Sequence, residues 1–182
     1  MKNESTVISF RIDKKIKESL EIECELENQN INHILNQIIQ KHLKWDKFAK
    51  EIGLVFISKS IFRNILKKLT DSEIRLLATT ICRVTFRDAT VYMKGDFNYK
   101  NFIEIIDIWI TNSHIPFRKI ETEGIIKYVI QHNLGKKYSI YLLTTFGILF
   151  SELGYVISNK QLAEDVLTFE IPKLSEVKTI IQ

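Results

Sequence analysis

The sequence is poor in the residues that interrupt helices or cross-link a chain. Its 182 residues include only six glycines, two prolines and two cysteines. Glycine and proline are the strongest local breakers of regular structure, so their scarcity favours long helices. Cys24 and Cys82 stand alone, and the four histidines do not combine with them at a metal-ligand spacing. We therefore expect no disulfide framework, no metal site and no cofactor.

Long apolar runs are also absent. No stretch approaches the roughly 20 apolar residues that a helix needs to cross a bilayer. The most apolar helical pattern, residues 138–153, still contains two serines, two threonines and a glutamate. The first six residues lead into a strand pattern without the apolar core of a signal peptide. From these features we expect a cytoplasmic protein with no membrane partner.

The sequence lacks the motifs of the common enzyme classes. It contains no recognisable Ser-His-Asp set, no glycine-rich phosphate loop and no paired-carboxylate motif. We therefore expect a protein that is not an enzyme.

The charge of the chain is a weak guide to its partner. The net charge is +4, but residues 1–53 contain nine basic and nine acidic side chains and are neutral. An interaction with a polyanion must therefore depend on where the charges lie and not on their sum.

An alternating pattern near the amino terminus predicts a short strand. In residues 7–12, Ile8, Phe10 and Ile12 fall on one face, while Ser9 and Arg11 fall on the other. Alternation with a period of two is the pattern of a strand with one apolar and one polar face.

Two helices are predicted after this strand. Asp13 can cap the first helix, which should extend to about Glu27. Residues 28–30, Asn-Gln-Asn, predict a turn because asparagine tolerates the left-handed conformation and caps helices well. The second helix should run to about Gly53, and its apolar stripe consists of Ile31, Ile34, Leu35, Ile38, His42, Trp45, Ala49 and Ile52.

A single short strand followed by two helices cannot bury its own apolar face, so it needs a partner. If two copies pair their strands antiparallel, the four helices close a shared core and the other face of the ribbon stays exposed. A two-stranded ribbon fits the DNA major groove. Residues 7–43 resemble the ribbon-helix-helix family of DNA-binding proteins in their strand, helix lengths, turn and second-helix start. The resemblance implies an obligate dimer.

The resemblance also implies which residues contact DNA. The base-contacting positions carry over onto Val7, Ser9 and Arg11, and the fork of Arg11 could bond guanine with roughly 1–3 kcal/mol of discrimination. Phosphate contacts are expected at the two helix starts, from Lys14, Lys15, Asn30 and Asn32. The acidic residues 18–27 must point away from the phosphates, and the family often has glycine where this chain has Asn28.

The rest of the chain predicts a second, mixed domain. We divide the sequence into a ribbon-helix-helix module, residues 1–53, and a carboxy-terminal α+β domain, residues 54–182. The second domain should contain three helices followed by the order ββαββ. The patterns place the helices near residues 57–69, 71–81, 101–110 and 136–154, and the strands near residues 117–122, 125–132, 155–158 and 166–171.

Candidate ligand residues in this domain are few. His132 and Lys136 lie where a strand ends and a helix begins, a place that suits an anion or a small ligand. A satisfied strand-end histidine explains the same pattern. Aromatic residues such as Trp109 and Tyr141 recur at helical spacing, which indicates a core or a small hydrophobic effector pocket.

We therefore predict a sequence-specific transcriptional regulator that binds double-stranded DNA as a homodimer or a higher assembly. Two alternatives stay open. One is an antitoxin-type DNA-binding protein, and the other is a ligand-binding protein in which the amino-terminal module only dimerises the chain. A small-molecule effector would be of unknown identity.

Overall fold

The computed structural model describes residues 6–174 and has the predicted α+β composition. The chain divides into two compact units between Lys47 and Phe48, called here the amino-terminal and carboxy-terminal units. The amino-terminal unit is helical, and the carboxy-terminal unit combines helices with a four-stranded antiparallel sheet. None of the helices in the described residues combines the length and the apolar composition needed to cross a membrane.

Two helices make up most of the amino-terminal unit. Helix α1 spans Lys14–Glu27 and helix α2 spans Ile31–Lys41. A π-helical segment, His42–Asp46, follows α2 and leads to a helical turn, Lys47–Ala49. The helical run that begins at Ile31 thus reaches Ala49 and is followed by turns up to Gly53, where the apolar stripe predicted its end. Gly53 has a φ of 76°, the left-handed conformation that is common just after a helix.

The starts of both helices are capped as the sequence predicted. The Asp13 side chain accepts a hydrogen bond from the Lys15 N–H at 2.8 Å, and the Asn30 side chain accepts one from the His33 N–H at 2.9 Å. Between the helices, Asn28 adopts the left-handed conformation with φ of 50°. These short-range polar interactions fix the helix boundaries locally.

The predicted amino-terminal strand is not formed in the single chain. Residues 6–13 have no regular secondary structure, and the described chain begins its regular elements with α1. A β-strand is stabilised by hydrogen bonds to a neighbouring strand, and no described strand pairs with these residues. The ribbon arrangement therefore remains a prediction about two chains.

Three helices open the carboxy-terminal unit, as predicted. They are α3, Lys59–Lys67; α4, Asp71–Cys82; and α5, Tyr99–Asn112. Helix α4 extends beyond its predicted end through a π-helical segment, Arg83–Asp88, into a last helical stretch, Ala89–Lys94. The starts of α3, α4 and α5 are capped by Ser58, Thr70 and Asn98.

The remaining elements follow the predicted order ββαββ. They are β1, Phe117–Glu121; β2, Ile125–Gln131; α6, Lys136–Glu152; β3, Ser158–Leu162; and β4, Val166–Pro172. The sheet order is β1-β2-β4-β3, and every pair is antiparallel. The third strand was predicted at residues 155–158, which is too early. Every side chain of β3 is exposed, so this edge strand has no alternating apolar pattern to predict it.

The core of the carboxy-terminal unit lies where α5 and α6 pack on the sheet. Phe102 of α5, Phe146 of α6 and Phe169 of β4 are fully buried, and the ring of Phe146 meets Phe102 edge-on and Phe169 at a tilted angle. Edge-on aromatic pairs are favourable because the ring edge is positive and the face is negative. The predicted inward face of α5 is confirmed by the burial of Ile105, Ile106 and Ile110.

Candidate nucleic-acid interface

The candidate interface begins with residues 7–12, called here the ribbon segment. Its predicted base-contacting residues, Val7, Ser9 and Arg11, are all exposed. Neither Ser9 nor Arg11 forms a hydrogen bond or an ion pair with another residue that the structure describes. Their donors and acceptors are therefore available to an external partner.

The other side chains of the ribbon segment are apolar and also exposed. Ile8, Phe10 and Ile12 keep 78%, 60% and 38% of their surface accessible. Full burial of one such side chain is worth roughly 1.5–3 kcal/mol. The exposed surface of the three side chains together is a little less than that of two fully exposed ones, so covering this face would stabilise the segment by roughly twice that amount. No element of the described amino-terminal unit covers it.

The two helices of the amino-terminal unit also leave apolar side chains exposed. Leu20, Ile34 and Trp45 are buried, but six large apolar residues of α1, α2 and the following π-helical segment are at least half exposed: Ile16, Ile22, Leu26, Ile38, Ile39 and Leu43. Small domains bury a smaller fraction of their surface on folding than large ones do, so a unit of 47 residues has little core of its own. Much of the apolar surface of these helices is thus left without a covering element among the described residues of the unit.

The start of α1 presents lysines beside the ribbon segment. Lys14 forms an exposed ion pair with Glu18 at 3.7 Å, and Lys15 is exposed. Exposed ion pairs contribute roughly 0–1 kcal/mol, so Lys14 can exchange this partner for a phosphate at little cost. Further along α1, a hydrogen bond and the charge of Glu21 raise the pKa of Lys17, which lies 2.8 Å from that carboxylate. The first acidic side chains of α1 are thus partly neutralised within the helix.

The start of α2 offers backbone donors and not a free asparagine oxygen. The Asn30 side-chain oxygen already accepts the His33 N–H, so only its amide N–H groups remain for an anion. The backbone N–H groups of Ile31 and Asn32 have no acceptor among the described residues, as expected for the first turn of a helix. The Asn32 side chain is exposed. These donors and the positive end of the helix dipole suit a phosphate.

His132, a candidate ligand residue, is instead part of the carboxy-terminal core. It is fully buried, its Nδ1 accepts the Leu134 N–H at 3.0 Å, and its Nε2 lies 2.8 Å from the Ser139 hydroxyl. That hydroxyl donates in turn to the carbonyl of Ala163 at 3.2 Å. Burial lowers the pKa of His132 to about 4, so the ring is neutral at physiological pH. Both ring nitrogens are occupied, which leaves none for a ligand.

The helix start beside Lys136 is also occupied by the protein itself. The Asp165 carboxylate accepts the Gly135 N–H at 2.9 Å and lies 3.4 Å from the Arg63 guanidinium. An internal carboxylate therefore takes the place in which an external anion was predicted, while Lys136 is exposed to solvent. Sequence reasoning missed Asp165 because it comes from the loop before β4, far along the chain from α6.

Because the comparisons with known proteins found no match, the function of this site has to be inferred from its own residues. Within residues 6–174, no three histidine, cysteine or acidic side chains lie close enough together to hold a metal ion. No protein-family model matches this chain, and no curated protein matches it.

Proposed function

We propose that this protein is a sequence-specific DNA-binding transcriptional regulator. It acts as a homodimer, or as a higher assembly of dimers, through an antiparallel β-ribbon in the major groove of double-stranded DNA. The observation that carries the proposal is the ribbon segment itself. Its exposed side chains belong alternately to the set Val7, Ser9 and Arg11 and to the apolar set Ile8, Phe10 and Ile12, and two capped helices follow directly.

Pairing two ribbon segments would supply the strand partner and the apolar cover that the amino-terminal unit lacks. Antiparallel pairing gives each strand the hydrogen-bond partners that it lacks in one chain. It also brings Ile8, Phe10 and Ile12 of both copies onto one face, where the exposed apolar residues of α1 and α2 can cover them. Val7, Ser9 and Arg11 then lie on the opposite face. The major groove, about 12 Å wide, admits such a two-stranded ribbon.

Phosphate contacts would hold the ribbon in register. Lys14 and Lys15 follow the ribbon segment directly, and the first N–H groups of α2 are free to bond a phosphate oxygen. Contacts of this kind position a protein on DNA without reading its sequence. Binding should therefore weaken steeply with salt, because each neutralised phosphate releases counterions. In this proposal the carboxy-terminal unit catalyses no reaction. It stabilises the assembly or senses a signal.

The test is selection of bound sequences from random duplex DNA, with Arg11→Ala measured in parallel. We expect an enriched palindrome or repeat with the full-length protein, and loss of that enrichment with the variant. The matched control is Arg118→Ala, which removes an equal charge from an exposed position of β1 in the other unit. It should keep the enriched sequence and lower overall affinity only slightly.

Two results would contradict the proposal. One is a folded dimer that enriches no sequence at low salt. The other is an Arg11→Ala variant that no longer dimerises, because Arg11 would then belong to the interface between copies and not to the groove face.

A further inference from the structure

A cavity of about 200 Å³ lies within the carboxy-terminal unit. Helices α3, α4, α5 and α6 all contribute to its wall, through residues that include Phe62, Leu77, Ile81, Trp109, Tyr138 and Tyr141. Protein interiors are close-packed and contain few voids larger than a water molecule. A void of this size between four helices is therefore a feature that needs an explanation.

Aromatic rings form much of the cavity wall, and they are held at fixed angles. Phe62 meets Tyr138 edge-on with ring centres 5.7 Å apart, and Tyr138 stacks on Tyr141 at 5.8 Å. On another side of the wall, Phe86 meets Trp109 edge-on at 5.2 Å. The wall therefore combines edge-on and stacked ring pairs. A flat aromatic molecule can make favourable offset or edge-on contacts with such surfaces.

The electrostatics of the wall select a neutral ligand. None of the residues that line the cavity has a charged side chain. Burial raises the pKa of both Tyr138 and Tyr141, so their phenols stay protonated. A carboxylate or an ammonium group would lose its hydration here without gaining an opposite charge, which costs far more than apolar contacts return.

A few polar groups of the wall can orient such a ligand. Thr85 contributes a hydroxyl, and it lies with Phe86 in the π-helical segment Arg83–Asp88 that follows α4. Single π-helical turns are frequent at functional sites because they displace side chains from the regular helical face. The phenol of Tyr141 is a second hydrogen-bonding group in the wall. The Tyr141 phenol and the Thr85 hydroxyl already hydrogen-bond to each other, and a hydroxyl oxygen has two lone pairs, so this pair can still accept a bond from one ligand hydroxyl or N–H group.

The cavity has an accessible rim and a closed floor. Leu77 keeps 38% of its surface exposed, whereas Leu66 and Phe86 are buried at 2% exposure. A ligand could therefore enter beside Leu77 on α4 without unfolding the unit. The opening also makes Leu77 the best position at which to block entry.

We propose that this cavity binds a small, neutral aromatic molecule of one or two rings with a single hydrogen-bonding substituent, of which phenol is the simplest example. On a comparable scale, an apolar cavity of about 150 Å³ accommodates benzene. The inference goes beyond the DNA-binding proposal and does not depend on it, because every residue that carries it lies in the carboxy-terminal unit.

The test is calorimetric titration of the full-length protein with phenol, toluene and benzoate. We expect saturable binding of phenol and toluene, and at least tenfold weaker binding of benzoate, which has the same ring with a negative charge. Leu77→Phe enlarges a side chain of the rim and should weaken phenol binding at least tenfold. Leu76→Phe is the matched control, because Leu76 is the adjacent residue of α4, is 68% exposed and does not line the cavity.

The outcomes separate a binding site from a packing void. Absence of saturable phenol binding, or equal binding by the Leu77→Phe and Leu76→Phe variants, would overturn the proposal. Because Leu77→Phe enlarges a packed side chain and can disturb folding, a second test uses Thr85→Val and Tyr141→Phe. These two substitutions leave the shape of the cavity nearly unchanged. At least one of them should weaken phenol binding relative to toluene binding, and if neither does so the predicted polar substituent is wrong.

Discussion

The two units of the chain differ in where their apolar side chains lie. The carboxy-terminal unit gathers its apolar residues into one buried cluster around Phe102, Phe146 and Phe169. The amino-terminal unit leaves most of its large apolar residues exposed, including Phe10 of the ribbon segment. Both units have well-capped helices, so the difference does not arise from local structure. It arises because two helices and an unpaired segment cannot enclose a core.

This comparison separates two sources of stability. Caps and turns fix the boundaries of a helix within a few residues, whereas burial of apolar surface requires elements that come from elsewhere. In the carboxy-terminal unit these elements come from the same chain. In the amino-terminal unit, under the proposed function, they come from a second copy. Substitutions in the two units should therefore change different measured quantities. In the amino-terminal unit they should change dimerisation, and in the carboxy-terminal unit they should change the stability of the fold.

The largest expected effect is that of Phe10→Asp. A charge on the apolar face of the ribbon segment would have to be buried without a partner in the dimer, so the dimer should be lost together with DNA binding. The aromatic core of the carboxy-terminal unit should be unaffected. Sedimentation measures the first result, and near-ultraviolet circular dichroism measures the second.

The matched control for that variant is Ser9→Asp, which places the same charge on the opposite face of the ribbon segment. It should leave the dimer intact while weakening DNA binding by repulsion from the phosphates. A Phe10→Asp variant that remains dimeric would remove the main support for a shared core, and the contrast between the two units would need another explanation.

The next effect concerns the carboxy-terminal unit and its buried His132. Because the folded state lowers the pKa of this ring from its ordinary value of 6.5 to about 4, the fold favours the neutral form. The corresponding stability is fully present above pH 6.5 and is lost as the pH falls towards 4, by on the order of 3 kcal/mol. Urea unfolding of the carboxy-terminal unit at pH 7 and at pH 4.5 should show this loss.

His132→Gln should flatten that pH dependence, because glutamine can form hydrogen bonds but does not titrate in this range. His114→Asn, at an exposed position with φ of 50° that asparagine tolerates, is the control and should retain the wild-type dependence. An equally steep loss of stability in the His132→Gln variant would assign the effect to other groups.

The smallest expected effect is that of Asn30→Ala, which removes the cap of α2. Loss of a cap costs roughly 0.5–2 kcal/mol. Because the amino-terminal unit is proposed to fold with its dimer, this cost should appear as weaker dimerisation and leave the unfolding of the carboxy-terminal unit unchanged. Asn32→Ala, in the first turn of the same helix but without a capping hydrogen bond, should have less effect on dimerisation. Equal effects of the two substitutions would contradict the role of the cap.

The parts of the fold that the sequence predicted are those with a short-range physical cause. Asp13, Asn28 and Asn30 mark helix boundaries through their own hydrogen bonds and backbone angles. The order ββαββ follows from a change of period along the chain. In contrast, the edge strand β3 is polar except for Leu162, and the π-helical segments have no simple repeat, so neither the bounds of β3 nor these segments could be predicted.

The sites depend on contacts that no local pattern contains. For His132 the sequence allowed either a ligand site or a satisfied strand-end histidine. The second is confirmed, because Ser139 and the backbone of Leu134 occupy its nitrogens and Asp165 occupies the adjacent helix start. The aromatic spacing allowed either a core or a pocket, and only the packing of four helices leaves a cavity beside Trp109. The DNA-contacting residues remain predictions, since their arrangement requires two chains.

The exposed apolar face of the ribbon segment has a consequence for the lifetime of the protein in a cell. Exposed apolar surface and unpaired strand edges are the features that attract chaperones and proteases to incomplete structures. Under the proposed function, a newly made chain carries Ile8, Phe10 and Ile12 on such a surface until two copies pair. Pairing would then protect each copy from degradation, so that the cell retains assembled protein and removes the excess of single chains.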